Sequence, residues 1–196
     1  MASESGLELG NILQAVAEQA KAMRGLPPVE KWNPPDCGEI DMAIRRDGSW
    51  AYMGTPIGRP ALVRLFSTIL RREADGTFVL VTPAERVRIR VEDAPFLAVL
   101  LDRSGEGERQ CLRFTTNVGD ETVAGPDHAL RFAIEPASGE VSPYIHVRAR
   151  LEARLNRPVY YQLVEYGCHE IRNGASVFGV WSDGVFFPMI ASEDLR

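Results

Sequence analysis

The stretch from Asp41 to Phe66 constrains the fold most, because one continuous run joins a hairpin, an aromatic pair and a helix start. Asp47-Gly48 suits the two positive φ angles of a type I′ turn and separates strand-like segments at 40–46 and 49–53. Two registers follow from the length of that loop. A two-residue loop pairs Arg45 with Trp50 and sets Asp41, Ala43 and Arg45 on the face of Trp50 and Tyr52, a surface suited to a ring-bearing ligand. A three-residue loop shifts one strand by a residue and puts Trp50 beside Ile44 in the core. The Asp-Gly pair favours the shorter loop. Beyond the hairpin, Pro60 suits a first helical position, and Leu62, Val63, Leu65, Phe66, Ile69 and Leu70 predict one apolar stripe on a helix over 60–72. Arg59 precedes that helix, where it can either meet an anion beside free backbone N–H groups or form an ordinary surface ion pair.

A chain of 196 residues that is 45% hydrophobic can bury a sizeable core, as one domain or as two small ones. Its net charge of −5 argues against general binding to nucleic-acid backbone or to an anionic membrane, so neither is an expected partner. Cys37, Cys111 and Cys168 are odd in number and widely spaced, which fits a reducing compartment. The chain opens without a charged start and apolar run, and its longest apolar run, 96–101, is far too short to span a bilayer. A cytoplasmic protein is expected.

In chain order, Leu9, Ile12, Leu13, Val16, Ala20 and Met23 recur at helical spacing, and a proline-rich connector carrying Trp32 completes an N-terminal segment over 1–35. Strands are predicted at 77–81 and 86–91, the second alternating Val87, Ile89 and Val91 with Arg86, Arg88 and Arg90. A hairpin at 95–101 and 110–116 precedes a turn-rich stretch over 116–127 and a strand at 129–135. Ser142-Pro143 reads as a cap and first-turn proline for a second helix over 143–155, with Val147, Leu151 and Leu155 buried. Strands at 159–166, 177–181 and 185–189 follow, the last two joined at Asp183-Gly184. Setting helix 60–72 and its following strands beside helix 143–155 and its following strands suggests an internal duplication. The expected fold is α+β, with halves over 36–103 and 104–196, each packing its helix on a bent antiparallel sheet. A cleft is then expected where the halves meet.

No phosphate loop, dinucleotide fingerprint, His-Glu-x-x-His or Gly-x-Ser-x-Gly elbow occurs in the chain. His128, His146 and His169 are scattered in sequence and define no metal site. Cys168 and His169, as strand neighbours, point to opposite faces and make no nucleophile–base pair. Two polar clusters remain. Thr115, Thr116, Asn117, Gly119 and Asp120 either build a turn or hold a ligand. Tyr144, His146 and Arg148 fall on the first turns of the predicted second helix, where they either cap it or meet a phosphate or carboxylate.

Trp32-Asn33-Pro34-Pro35 with Cys37-Gly38, Asp47 to Tyr52 with Pro56-Ile57 and Arg59, Thr82-Pro83-Ala84-Glu85, Thr116-Asn117 with Gly119-Asp120, and Tyr144 to Arg148 together carry a resemblance. From about Trp32 to Met189 the chain resembles a bacterial family catalogued as domain of unknown function 1285. That resemblance implies a β-rich fold of two related halves, the second like a pleckstrin-homology barrel, with a nucleotide-derived ligand where the halves meet and a part in signal transduction. At Ala149-Arg150 the family pattern has smaller residues, which argues against close ligand approach there. The expected function is a regulatory module whose small-molecule ligand carries a ring and an anionic group. Trp50 or Tyr52 takes the ring, with Arg45 or Asp41 at its edge. Arg59, His146 and Arg148 take the anion, and Asn117 and Asp120 a sugar or hydroxyl. No metal or other cofactor is assigned. The competing readings are a ligand-free protein-interaction adaptor in signalling and an enzyme with His146 or Asp41 as base; a non-enzyme is favoured.

Overall fold

A computed structural model describes residues 25–134 and 139–192, so the predicted N-terminal helix lies outside the described residues. The chain divides into two compact units, through Asp93 and from Ala94. Among the described residues each is β-rich with one α-helix, the α+β architecture expected. The boundary falls ahead of the expected 103/104 division, because the strand Phe96–Ser104 pairs with partners of the second unit.

The N-terminal unit is built from β1 (Asp36–Ile44), β2 (Trp50–Tyr52), β3 (Thr55–Pro56), α1 (Pro60–Thr68), β4 (Leu70–Arg72), β5 (Phe78–Val81) and β6 (Arg86–Val91). They form one sheet in the order β3-β2-β1-β6-β5-β4, whose middle pair runs parallel. The β1–β2 register pairs Ile44 with Trp50 and Met42 with Tyr52, so the longer of the two loops is the one formed. Gly48 has a φ of 79°, while Asp47 stays out of the left-handed region and accepts the Ser49 N–H at 2.9 Å on its carboxylate. With only one residue left-handed, a type I′ turn is impossible, and the chain takes a three-residue loop closed by Arg45 N–H on Ser49 carbonyl at 2.8 Å. Trp50 therefore points into the core.

Helix α1 starts at Pro60 as expected but stops at Thr68, and residues 70–72 are an edge strand rather than its last turn. Arg71 is consequently buried. Its guanidinium donates to the Val29 and Trp32 carbonyls, both at 2.7 Å, and to Glu73 at 2.6 Å, tying down the proline-rich connector. Thr77 follows the next turn and donates its N–H and hydroxyl to Asp75 at 2.9 and 2.7 Å.

The C-terminal unit contains β7 (Phe96–Ser104), β8 (Cys111–Thr116), β9 (Glu121–Val123), β10 (Leu130–Ile134), β11 (Val141–Arg148), β12 (Leu151–Leu155), α2 (Arg157–Glu165), β13 (Cys168–Arg172), β14 (Ala175–Ser182) and β15 (Val185–Ala191). A curled half-barrel of order β10-β11-β12-β7-β8-β9 again has a parallel middle pair, and β13-β14-β15 form a separate antiparallel sheet. Two predicted elements exchange character here. Residues 143–155 are not a helix but the β11–β12 hairpin. Ile145, Val147, Leu151, Ala153 and Leu155 are buried in alternation with His146, Arg148, Glu152 and Arg154, and a four-residue spacing fits period two as well as period 3.6. The segment read as strand 159–166 is α2, because Asn156 caps it through a 2.9 Å bond from Val159 N–H and Pro158 occupies its first turn.

These exchanges also overturn the expected alignment of the duplication. The matching helices are those that begin at Arg59-Pro60 and Arg157-Pro158, each followed by a strand, a turn at Gly76 or Gly174, and two further antiparallel strands. In the second unit Ser182, fully buried, donates to the Ala124 carbonyl at 2.6 Å and accepts Leu112 N–H at 2.9 Å, joining the three-stranded sheet to the half-barrel.

Removing the Ser182 hydroxyl strands both backbone groups, so Ser182→Ala is expected to cost about 1–3 kcal/mol in urea denaturation; an unchanged midpoint contradicts that role. The Asp47 and Asp75 carboxyls are held below their ordinary 3.8, first by hydrogen bonds from Ser49 and from Thr77 respectively. Each therefore adds stability above that pH which is lost as pH falls through the folded value. Asp47→Asn and Asp75→Asn are expected to flatten the acid limb of a stability profile below about pH 4.

Candidate functional site

The N-terminal unit does not assemble the ring platform that the sequence suggested. Trp50 is 1% exposed and stacks on Phe66, with centroids 6.1 Å apart and planes at 14°, so it has no open face for a ligand. Its Nε1 is buried without a hydrogen-bond partner. Tyr52 shares the Trp50 face and is half-buried, whereas Arg45 reaches back to the Gly54 carbonyl at 3.4 Å. Asp41 is exposed between buried Ile40 and Met42. Arg59 stands exposed at the N-cap of α1, and its carbonyl accepts the Leu62 and Val63 N–H groups at 3.0 and 3.2 Å.

In the C-terminal unit the suggested polar residues are engaged by the fold. Asn117 clamps β7, its Oδ1 accepting Leu97 N–H at 3.0 Å while its own N–H donates to the Leu97 carbonyl at 2.8 Å. Arg148, placed on a strand rather than a helix, pairs with Asp120 and lies 4.8 Å over the Phe96 ring. His146 Nε2 lies 2.7 Å from the Ala149 carbonyl and its Nδ1 3.1 Å from the Asp127 carbonyl. Its Nδ1 is 3.2 Å from His128 Nδ1, and the two rings stack at 5.2 Å. Histidines far apart in sequence are thus neighbours, although no group of three or more metal-ligating side chains forms among the described residues. Cys168 is held in its thiol form by burial, with Glu170 adding to the effect.

A different set of polar and aromatic side chains gathers where β12 passes into α2. A cleft of about 340 Å³ is lined by Glu140, Pro143, Arg154, Arg157, Tyr160 and Tyr161, among others. Arg154 faces outward from β12 opposite Tyr144 and donates to the Ser142 hydroxyl at 3.3 Å. The exposed Arg157 opens the helix, and one turn on Tyr160 and Tyr161 present rings 6.3 Å apart at 30°. Tyr160 is half-buried, and Tyr161 is 62% exposed. The helix contributes few backbone donors of its own. Pro158 has no N–H, Val159 N–H is taken by the Asn156 side chain, and Tyr160 N–H by the Asn156 carbonyl at 2.9 Å. Any anion in this cleft is consequently met by guanidinium groups, whose planar fork suits a carboxylate or phosphate. Burial, and secondarily Tyr161, raises the Tyr160 hydroxyl above its ordinary 10.0, so it remains a protonated donor.

None of these cleft residues was among the ligand-site candidates read from the sequence. A signal did exist in Asn156-Arg157-Pro158, a cap followed by a first-turn proline, ahead of a run of valine and tyrosine that also suits a strand.

Residues 27–94 match the N-terminal domain, and residues 95–189 the C-terminal domain, of a family described as a protein of unknown function, DUF1285. A crystal structure of a DUF1285 family protein from Silicibacter pomeroyi DSS-3 is similar, at 52% identity and a TM-score of 0.81, covering 91% of this chain and 96% of that one. Another, from Shewanella baltica OS155, is 29% identical with a TM-score of 0.49, covering 64% of this chain and 91% of that one. No curated protein matches.

The Asp120–Arg148 pair is a structural contact with both side chains less than a quarter exposed. A double-mutant cycle of Asp120→Asn and Arg148→Gln is expected to show a coupling of about 1–2 kcal/mol in denaturant unfolding. Additive effects of the two changes contradict that assignment.

Proposed function

The chain belongs to the DUF1285 family, and from that footing we propose that it is a regulatory module binding a small molecule with a flat ring and an anionic group, as a nucleotide derivative has. The observation that carries this reading is the cleft at the start of α2, where two guanidinium groups and two tyrosine rings line one space. Arg154 and Arg157 hold the anion, and the Tyr160 and Tyr161 rings hold the flat group. An aromatic stack contributes about 1–3 kcal/mol and a charge-assisted hydrogen bond a similar amount, so micromolar affinity is reachable without a metal. Tyr160, whose hydroxyl burial keeps protonated, is a poor base, which suits the cleft to holding a ligand rather than transforming it. The three free cysteines accord with a reducing cytoplasm.

Isothermal titration of the full chain against nucleoside monophosphates, dinucleotides, the parent nucleosides and inorganic phosphate tests this. Compounds carrying both ring and anion are expected to bind about tenfold or more tightly than either part alone. Arg157→Gln and Tyr161→Ala are each expected to weaken binding about tenfold, the equivalent of about 1.4 kcal/mol. Both sites are exposed, so the variants are expected to fold. If no anionic ring compound gives saturable heat, or if hits bind both variants unchanged, the proposal fails.

A further inference from the structure

A second cleft, of about 330 Å³, lies within the N-terminal unit, where the β4–β5 turn meets the outward face of β6 and the start of β1. Ala74, Thr77 and Val79 form the uncharged part of its wall, and the charged part sets Asp36, Glu73 and Asp75 against Arg86 and Arg88. These charges are unequally satisfied. Glu73 Oε1 already accepts two bonds from the buried Arg71 guanidinium, at 3.1 and 2.6 Å, so that pair is closed. Asp36 spends its Oδ1 on Gly38 N–H at 2.8 Å. Its remaining oxygen stands 3.8 Å from Arg86 and 3.5 Å from Arg88, and Arg86 lies a further 3.5 Å from Glu73. All three separations exceed the usual length of an N–H···O bond, so two guanidinium forks share carboxylates without closing on any of them. Glu39, the register partner of Arg88 on β1, is exposed and forms no ion pair with it.

An anion placed between Arg86 and Arg88 can take the short, paired bonds that Asp36 does not supply. A purely anionic ligand is opposed by the three carboxylates around it. One that brings its own cation turns that repulsion into attraction, because Asp75 sits exposed on the rim, charged, and within electrostatic reach of Arg86. We infer that this cleft is a binding site for a small zwitterion, its carboxylate or phosphate on Arg86 and Arg88 and its ammonium group on Asp75.

The test is an amide-resolved NMR titration of the full chain with γ-aminobutyrate and with phosphoethanolamine, alongside acetate, inorganic phosphate and ethylammonium as the separated halves. The two zwitterions distinguish a carboxylate from a phosphate ligand. Saturable shifts are expected at Thr77, Arg86 and Arg88, with at least one zwitterion binding about tenfold more tightly than either of its halves. Arg88→Gln is expected to abolish the response. The Arg88 side chain is 47% exposed, and the dispersion of the variant's spectrum reports its fold directly. Asp75→Asn keeps a turn-compatible side chain and is expected to remove the preference for the zwitterion while leaving the weaker response to the bare anion. Arg113→Gln, at an exposed ion pair of the other unit, is expected to change nothing. Zwitterions that bind no better than their halves, shifts that fail to saturate, or an unaltered response in Arg88→Gln would overturn the inference and leave a solvated ion network.

Discussion

In the C-terminal unit the fully buried hydroxyl of Ser182 bridges backbone groups that no strand reaches, accepting from Leu112 and donating to Ala124. Gln110 extends the seam, its side chain donating to the Trp181 carbonyl at 2.7 Å and its own carbonyl accepting Asp183 N–H at 2.9 Å. This seam fixes the three-stranded meander against the half-barrel. In the N-terminal unit the buried Arg71 has the corresponding task. Its guanidinium supplies donors to the Val29 and Trp32 carbonyls of a connector whose prolines lack N–H groups of their own. In both units a polar side chain placed inside the fold is worth its burial because it bonds backbone groups of another segment.

The cleft at the start of α2 follows from the same arrangement. Alternation along β11 and β12 turns Ile145, Ala153 and Leu155 inward and sends Arg154 outward. Asn156 then ends the strand and caps α2 in a single residue, which brings Arg157 and the two tyrosines close to Arg154. Gln162 holds the helix in place through a 3.0 Å bond to the Leu101 carbonyl on β7. The position of the cleft thus depends on a strand-to-helix junction with almost no intervening loop.

The two helices that begin with Arg-Pro show how a common order of elements can be put to different uses. Behind α1 the three following strands join β1 through a parallel pairing and extend one six-stranded sheet. Behind α2 the three following strands form a sheet of their own. The first helix carries Leu62 and Val63 where the second carries Tyr160 and Tyr161, and the aromatic pair accompanies the cleft.

The strand at 86–91, the hairpin predicted at 95–101 and 110–116, the start of α1 at Pro60 and the terminal hairpin at Asp183-Gly184 were legible in the sequence, since each rests on local alternation or on a residue with a restricted backbone. Family membership was legible as well, being carried by short motifs that survive any error about structure. The two Asp-Gly turns mark where that legibility ends. Asp183 and Gly184 both adopt positive φ, at 50° and 72°, with Asp183 N–H anchored on Gln110, whereas Asp47 turns its carboxylate onto Ser49 and leaves Gly48 alone left-handed. The same dipeptide therefore makes loops of different length, and the difference sends Trp50 into the core beside Phe66. Residues 143–155 and 157–165 exchanged helix for strand for a related reason. Four-residue apolar spacing is compatible with both periods, and what decided between them was pairing with β10 and β7 in one case and capping by Asn156 in the other. Local chemistry determined which segments could form ordered elements; partners distant in sequence decided which face each presented, and so which residues came to line a cleft.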